Sequence, residues 1–241
     1  MADTGQPDFD RLWNYDDPGG TEQHFRDLLP AAQQSGDLDY TLQLLTQIAR
    51  TQGLQRQFDS AHQTLNQVEA RLATADAIVT IRYLLERGRV LNSSRQADQA
   101  LPLFVQAWDA AREAGDDFYA VDAAHMAAIA ESSPEQQLKW NRIALDLAER
   151  TEDARAKKWP APLHNNLGWT YHDAGEYAQA LEHFEQALAW RQQSGDVVTI
   201  RIADWCIGRC LRSLGRIEDA LAKQQNLLRQ HEQAATSDGY V

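Results

Sequence analysis

Residues 161–188 read APLHNNLGWTYHDAGEYAQALEHFEQAL, and the same skeleton returns forty positions later, at 201–228, as RIADWCIGRCLRSLGRIEDALAKQQNLL. In the first copy, with Ala161 as position 1, small residues stand at Gly168, Ala180 and Ala187, and large ones at Tyr171 and Phe184. Small residues at 8, 20 and 27 let two antiparallel helices approach closely, and the large residues at 11 and 24 fill the space beside them. Gly175 closes the first helix. The second copy keeps Ile207, Gly208, Leu211, Gly215, Ala220 and Leu221, but has Gln224 in place of the aromatic and Leu227 in place of a small residue. A helical hairpin that returns at a fixed period predicts a stacked array of hairpins.

Weaker copies precede these two. One starts near Ile81 (Gly88, Leu91, Ala100, Leu101, Phe104, Ala107) and one near Leu42 (Ile48, Ala49, Phe58, Ala61, Leu65, Val68). A poor copy starts near Phe118, with Ala128, Leu138 and Ala144 but polar Asn141 at the aromatic position. Its Ser132-Ser133-Pro134 stretch predicts a turn followed by a helix start. A second register mark is independent of the first: Phe25, Phe104 and Phe184 each lie eleven residues before a Gly-Asp pair, at 36–37, 115–116 and 195–196. Glycine suits the left-handed residue that ends a helix, and aspartate suits the N-cap of the next. Asp76 and Asp153 take the same place without the glycine. A degenerate N-terminal copy follows from this register, with residues 9–15 (Phe9, Leu12, Trp13, Tyr15) as a short helix and Asp16–Gly20 as its turn.

The pattern resembles the tetratricopeptide repeat family, strongly over 161–228 and weakly over 118–150. The copies run near forty residues, as in the long-repeat branch that includes kinesin light chains and many bacterial regulators. The expected fold is all-α, a right-handed α-α superhelix of about five to six antiparallel helix hairpins. The expected organisation is an N-terminal arm and short capping helix at 1–20, a repeat array at 21–235 with copies starting near 42, 81, 118, 161 and 201, and a flexible tail at 236–241. The charged stretch Arg150–Lys158, before Trp159-Pro160, predicts a bend or a longer linker.

The whole chain agrees with this reading. Hydrophobic residues make up 43 % of the 241, enough for a continuous core, and no strand-like alternation of any length occurs. No eighteen-residue apolar run and no basic-then-apolar leader is present, so no membrane association and a cytoplasmic location are expected. Cys206 and Cys210 fit a reducing compartment and lack the further ligands a metal site needs. A net charge of −12 argues against nucleic acid and anionic membranes as partners. The seven histidines form no metal-spaced pair, and there is no phosphate loop, zincin motif or nucleophile elbow. Neither catalysis nor a cofactor is expected.

The resemblance implies that the first helix of each hairpin lines an inner groove through positions 2, 5, 6, 9, 12 and 13. Carried onto this chain, those positions bring forward Arg50, Arg82, Arg89, Asn92, Asn165, Asn166, Trp169, His172, Trp205, Arg209 and Arg212 as partner-binding residues. Five arginines stand there against three acidic residues (Glu86, Asp122, Asp173), a local basic excess in an acidic chain. Arginine forks pair with carboxylates, and asparagine offers a peptide backbone both donor and acceptor. Asn166 sits where the family's peptide-gripping asparagine would. The only lysines are Lys139, Lys157, Lys158 and Lys223, none on the inner positions of the strong copies, so the family's lysine-based carboxylate clamp is not expected. The expected function is a non-enzymatic scaffold that binds a protein or an acidic peptide segment. The counter-reading is that the arginines pair internally with Glu86, Asp122, Asp173 and Asp204. Two other functions remain open, a signal-peptide or small-molecule sensor and a self-assembly module. A monomer is expected, with the terminal helices as the route to any weak dimer, and Gln224 marks the last helix as a soluble cap.

Overall fold

The structure is a computed structural model that describes residues 7–234. Among these residues it contains eleven α-helices and no strand: α1 (Pro18–Ser35), α2 (Leu38–Leu54), α3 (Phe58–Glu69), α4 (Ala77–Ser93), α5 (Ala97–Ala114), α6 (Asp117–Ala130), α7 (Pro134–Arg150), α8 (Pro160–Asp173), α9 (Tyr177–Ser194), α10 (Val197–Ser213) and α11 (Ile217–Ala234). Short 3-10 turns lie at Phe9–Leu12, Leu72–Thr74 and Ala156–Lys158. The fold is all-α, built from TPR-like helix hairpins of the α-solenoid class. No described helix is long and apolar enough to cross a membrane. The tail expected at 236–241 lies outside the described residues.

The helix boundaries follow from local chemistry. Asp37, Asp76, Asp116 and Asp196 are the N-caps of α2, α4, α6 and α10, and each side chain accepts a backbone N–H from the first turn. This satisfies a donor that has no partner within the helix. Gly36, Gly115 and Gly195 end the preceding helices with φ of 77°, 70° and 74°, the left-handed conformation that costs glycine nothing. The Gly-Asp register mark therefore reports real junctions.

The chain packs as two compact units, one through Glu131 and one from Ser132 onward. In the first, α1 packs on α2, α2 on α3 and α4, α4 on α5, and α5 on α6. Phe25 and Phe104 are fully buried. In the second, α7 packs on α8, α8 on α9, α9 on α10, and α10 on α11. Its core joins Tyr171, Ala180 and Phe184 to Cys206, Ile207, Cys210 and Leu211. The small residue at position 8 is needed for this approach. A methyl carbon on Gly168 would stand 2.5 Å from a Phe184 ring carbon, and one on Gly88 would stand 2.5 Å from Phe104.

Several local expectations change. Residues 9–15 do not form one helix: a 3-10 turn covers Phe9–Leu12. Pro18–Gly20 are not a turn but the first turn of α1, because Asp17 caps the Gly20 N–H and Pro18 needs no hydrogen bond at that point. Asp153 does not cap a long helix; it accepts from the N–H groups of Arg155 and Ala156 in the 151–159 connection. Pro30 and Pro102 lie inside α1 and α5, both exposed, and both helices continue through them.

Candidate functional site

In the first unit, the inner positions of α2, α4 and α6 carry an alternating chain of charge. Arg50 donates to both carboxylate oxygens of Glu86, at 3.2 and 3.3 Å. Arg89 donates to Glu86 and to both oxygens of Asp122. Glu86 and Asp122 are buried. Burial pushes the Asp122 carboxyl up, but the Arg89 guanidinium and its hydrogen bonds, with Arg50 and His125 beyond, hold it below the ordinary carboxylate range. Burial likewise works against the Arg89 charge, and Asp122 and Glu86 more than offset it. A small recess of about 180 Å³ lies here, lined by Arg50, Gly53, Leu54, Glu86, Arg89 and Met126 among others.

The N-terminal segment lies on the same face. Asp10 accepts from Arg82, whose guanidinium stands 5.2 Å from the Phe9 ring centre and 5.3 Å from that of Tyr119. Trp13 donates its indole N–H to Gln47 at 3.1 Å. Trp13 and Tyr15 stack at 4.8 Å, and Arg50 lies 5.7 Å and 5.9 Å from their ring centres. Phe9 and Trp13 also meet the edge of Phe25. The segment thus packs on Phe25 of α1 and also occupies inner-face residues, which position counting along the repeat did not reveal. The available signal was the presence of two acids and three aromatics in DFDRLWNY (8–15), side chains that complement arginines.

In the second unit, α8 and α10 bring the remaining residues together. The rings of Trp169 and Trp205 lie 6.1 Å apart, although they occupy different repeat positions. The exposed Arg209 guanidinium stands over both, at 5.9 and 5.8 Å. Neither Arg209 nor Arg212 forms an ion pair among the described residues. His172 packs edge-on against Trp169 and hydrogen-bonds through Nε2 with Ser213 Oγ at 2.9 Å. Asn165 accepts from the Cys206 thiol at 3.5 Å, and burial pushes that thiol up to about 11. Asp204 is taken by Lys223. Asn166 is half-buried beside this group, and Asn92, on α4, is half-buried with no side-chain hydrogen bond among the described residues.

Three arginines are thus neutralised within the first unit, and in the second Arg209 rests against two indoles without an ion pair among the described residues. The tetratricopeptide repeat family matches residues 161–189, the hairpin that supplies Asn165, Asn166, Trp169 and His172. Residues 161–189 are a tetratricopeptide repeat. The TPR-like fold extends well beyond that hairpin. The crystal structure of BtubC (BKLC) from P. vanneervenii is similar over 96 % of this chain and 94 % of its own, with TM-score 0.72 and 15 % identity. The apo form of RapI is similar over 95 % of this chain and 66 % of its own, with TM-score 0.74 and 13 % identity. A Rap protein complexed with competence and sporulation factor is similar over 90 % of this chain and 67 % of its own, with TM-score 0.60 and 15 % identity. At these identities the likeness is one of fold. No curated protein matches the chain in sequence.

Proposed function

We propose that this TPR-like chain is a non-enzymatic interaction scaffold whose α8/α10 face grips a peptide segment through a carboxylate. The observation that carries this reading is the Trp169–Arg209–Trp205 arrangement. A guanidinium that rests on one side against two indoles keeps its charge and its open side for a partner, so a carboxylate that meets it gains a charge-assisted hydrogen bond at a lower ordering cost. The flanking indoles offer apolar walls to the neighbouring peptide side chain. Asn165, Asn166 and His172 stand along the same helix for the peptide backbone, and Arg212 extends the basic character. Arg50, Arg82 and Arg89 have a different role in this reading. Their charges are met within the first unit, and Asn92 beside them remains available to a partner. The Arg82–Asp10 pair, together with Trp13 and Tyr15 over Arg50, supports the choice of an acidic and aromatic segment as the type of ligand.

The test is selection from a random peptide library on the wild-type protein and on Arg209→Glu in parallel, with both proteins checked for folding by circular dichroism. Wild-type protein is expected to enrich acidic peptides or peptides that depend on a free C-terminus, and Arg209→Glu to lose them. Enrichment of the same peptides by both proteins would remove Arg209 from the site.

A further inference from the structure

The forty-residue repeat allows one face of the second unit to be compared with the same face one copy earlier. On the α8/α9 hairpin that face is occupied by α10. Cys210 donates to the Tyr177 carbonyl at 3.2 Å, Trp205 meets Trp169, and Ser213 hydrogen-bonds with His172. Tyr177, Leu181 and Leu188 of α9 are partly buried against the core cluster that results. Forty residues on, their counterparts on α11 are Ile217, Leu221 and Leu228, which remain 59 %, 56 % and 44 % exposed. The counterparts of Trp169 and His172 are Arg209 and Arg212, both exposed and neither in an ion pair among the described residues. Between α10 and α11 lies a recess of about 410 Å³ that Gly208, Ala220 and Gln224 help to line. Gln224 stands where Phe184 fills the preceding hairpin.

We propose that this recess docks an amphipathic helix of a partner protein, with apolar residues at every fourth position, each directly preceded by Asp or Glu. The template is α10 itself. Cys206 and Cys210, four apart, bond Asn165 of α8 and Tyr177 of α9, and Leu214, four further on and just past the helix end, packs against the same core cluster. The residues directly before them, Trp205, Arg209 and Ser213, are the ones that meet Trp169 and His172. Arginines replace Trp169 and His172 on the open face, so the matching positions of its occupant call for carboxylates. The apolar positions would cover Ile217, Leu221 and Leu228, in the helix-in-groove mode. A second copy of the same face is disfavoured as occupant, because it would set Arg209 and Arg212 against like charges.

The probe is a synthetic helical peptide of about 18 residues, with leucine at every fourth position, each preceded by glutamate, titrated into the full chain by fluorescence anisotropy. Saturable binding is expected, with a loss of roughly tenfold or more in affinity for Leu221→Glu. That variant changes an exposed side chain, and its fold is verified by circular dichroism. Arg212→Glu is expected to reject the glutamate peptide and to accept one with lysine in its place. No binding of the glutamate peptide, or equal binding by Leu221→Glu, would overturn the proposal. So would sedimentation showing a dimer that Leu221→Glu dissolves, which would assign the face to a second copy. Ile217→Ser separates this site from the carboxylate-binding face: it is expected to weaken the helical probe and to leave library peptides selected through Arg209 bound.

Discussion

In four hairpin turns, α2–α3, α4–α5, α8–α9 and α10–α11, one residue takes a positive φ, and the copies supply it differently. Gly175 and Gly215 take φ of 81° and 74°, while Arg56 and Arg95 take 62° and 66° at the corresponding turns. A side chain in this region costs about 1–2 kcal/mol, because Cβ crowds the following carbonyl. Arg95 donates its backbone N–H to Asn92 O at 3.0 Å, and Gln96 donates to Leu91 O at 2.9 Å, so the turn is held by the same bonds that a glycine turn makes. Arg95→Gly is therefore expected to raise stability by about 1 kcal/mol, read as a higher urea midpoint at an unchanged slope. A lower midpoint would mean that the Arg95 side chain contributes more than the strain costs.

At the scale of elements, the α8–α9 contact holds a pair of histidines. His164 Nδ1 and His183 Nδ1 are 3.0 Å apart, His183 is stacked on Tyr171, and Arg142 of α7 bonds the Tyr171 hydroxyl. Burial and the neighbouring His183 hold His164 down at about 4, and burial lowers His183 as well. Glu149 of α7, 3.9 Å from His164 Nε2, is 47 % exposed and offsets little of this through solvent. The unfolded chain, with an ordinary histidine near 6.5, binds more protons than the folded one between these two values. The stability that neutral His164 contributes is thus complete above about pH 6.5 and falls away as the pH drops toward 4. The expected loss from this one group is about 2 kcal/mol between pH 7 and pH 5. Urea unfolding of wild type and His164→Gln at the two pH values checks it: the variant is expected to lose distinctly less, and parallel losses would place the acid sensitivity elsewhere.

At the scale of the whole molecule, an acidic chain of net charge −12 keeps its inner-face cations for particular carboxylates. In the first unit those carboxylates come from the chain itself, Asp10 among them, and the same segment buries Phe9 against Phe25 and Tyr40. Removing residues 1–15 deletes this packing, a change comparable with a buried Phe→Ala truncation of about 3 kcal/mol or more. It is expected to lower Tm by roughly 6–12 °C for a chain of this size. Synthetic peptide 7–15, added in trans, is expected to recover part of that loss in a concentration-dependent way. An unchanged Tm on truncation would show that the ring contacts with Phe25 add nothing to stability.

Periodic features were legible from the residues alone. The hairpin class follows from glycine opposite phenylalanine at 88/104 and 168/184, and the junctions follow from Gly-Asp pairs, because close helix approach and helix capping each need a specific residue at a specific spacing. The positive-φ turns at Arg56 and Arg95 were not legible, since arginine carries no local signal for that conformation and the surrounding hydrogen bonds impose it. The inner positions could be counted from the repeat, but not the state of their charges. Whether an arginine is consumed or available depends on neighbours thirty or more residues away: Glu86 for Arg50, Asp122 for Arg89, Asp10 for Arg82, and Trp169 for Arg209. Gln224 read as the mark of a soluble cap, whereas Ile217, Leu221 and Leu228 on the same helix stand exposed beside an open recess. Periodicity is a one-dimensional property and travels with the chain; charge neutralisation and coverage depend on distance in space, and only the tertiary structure decides them.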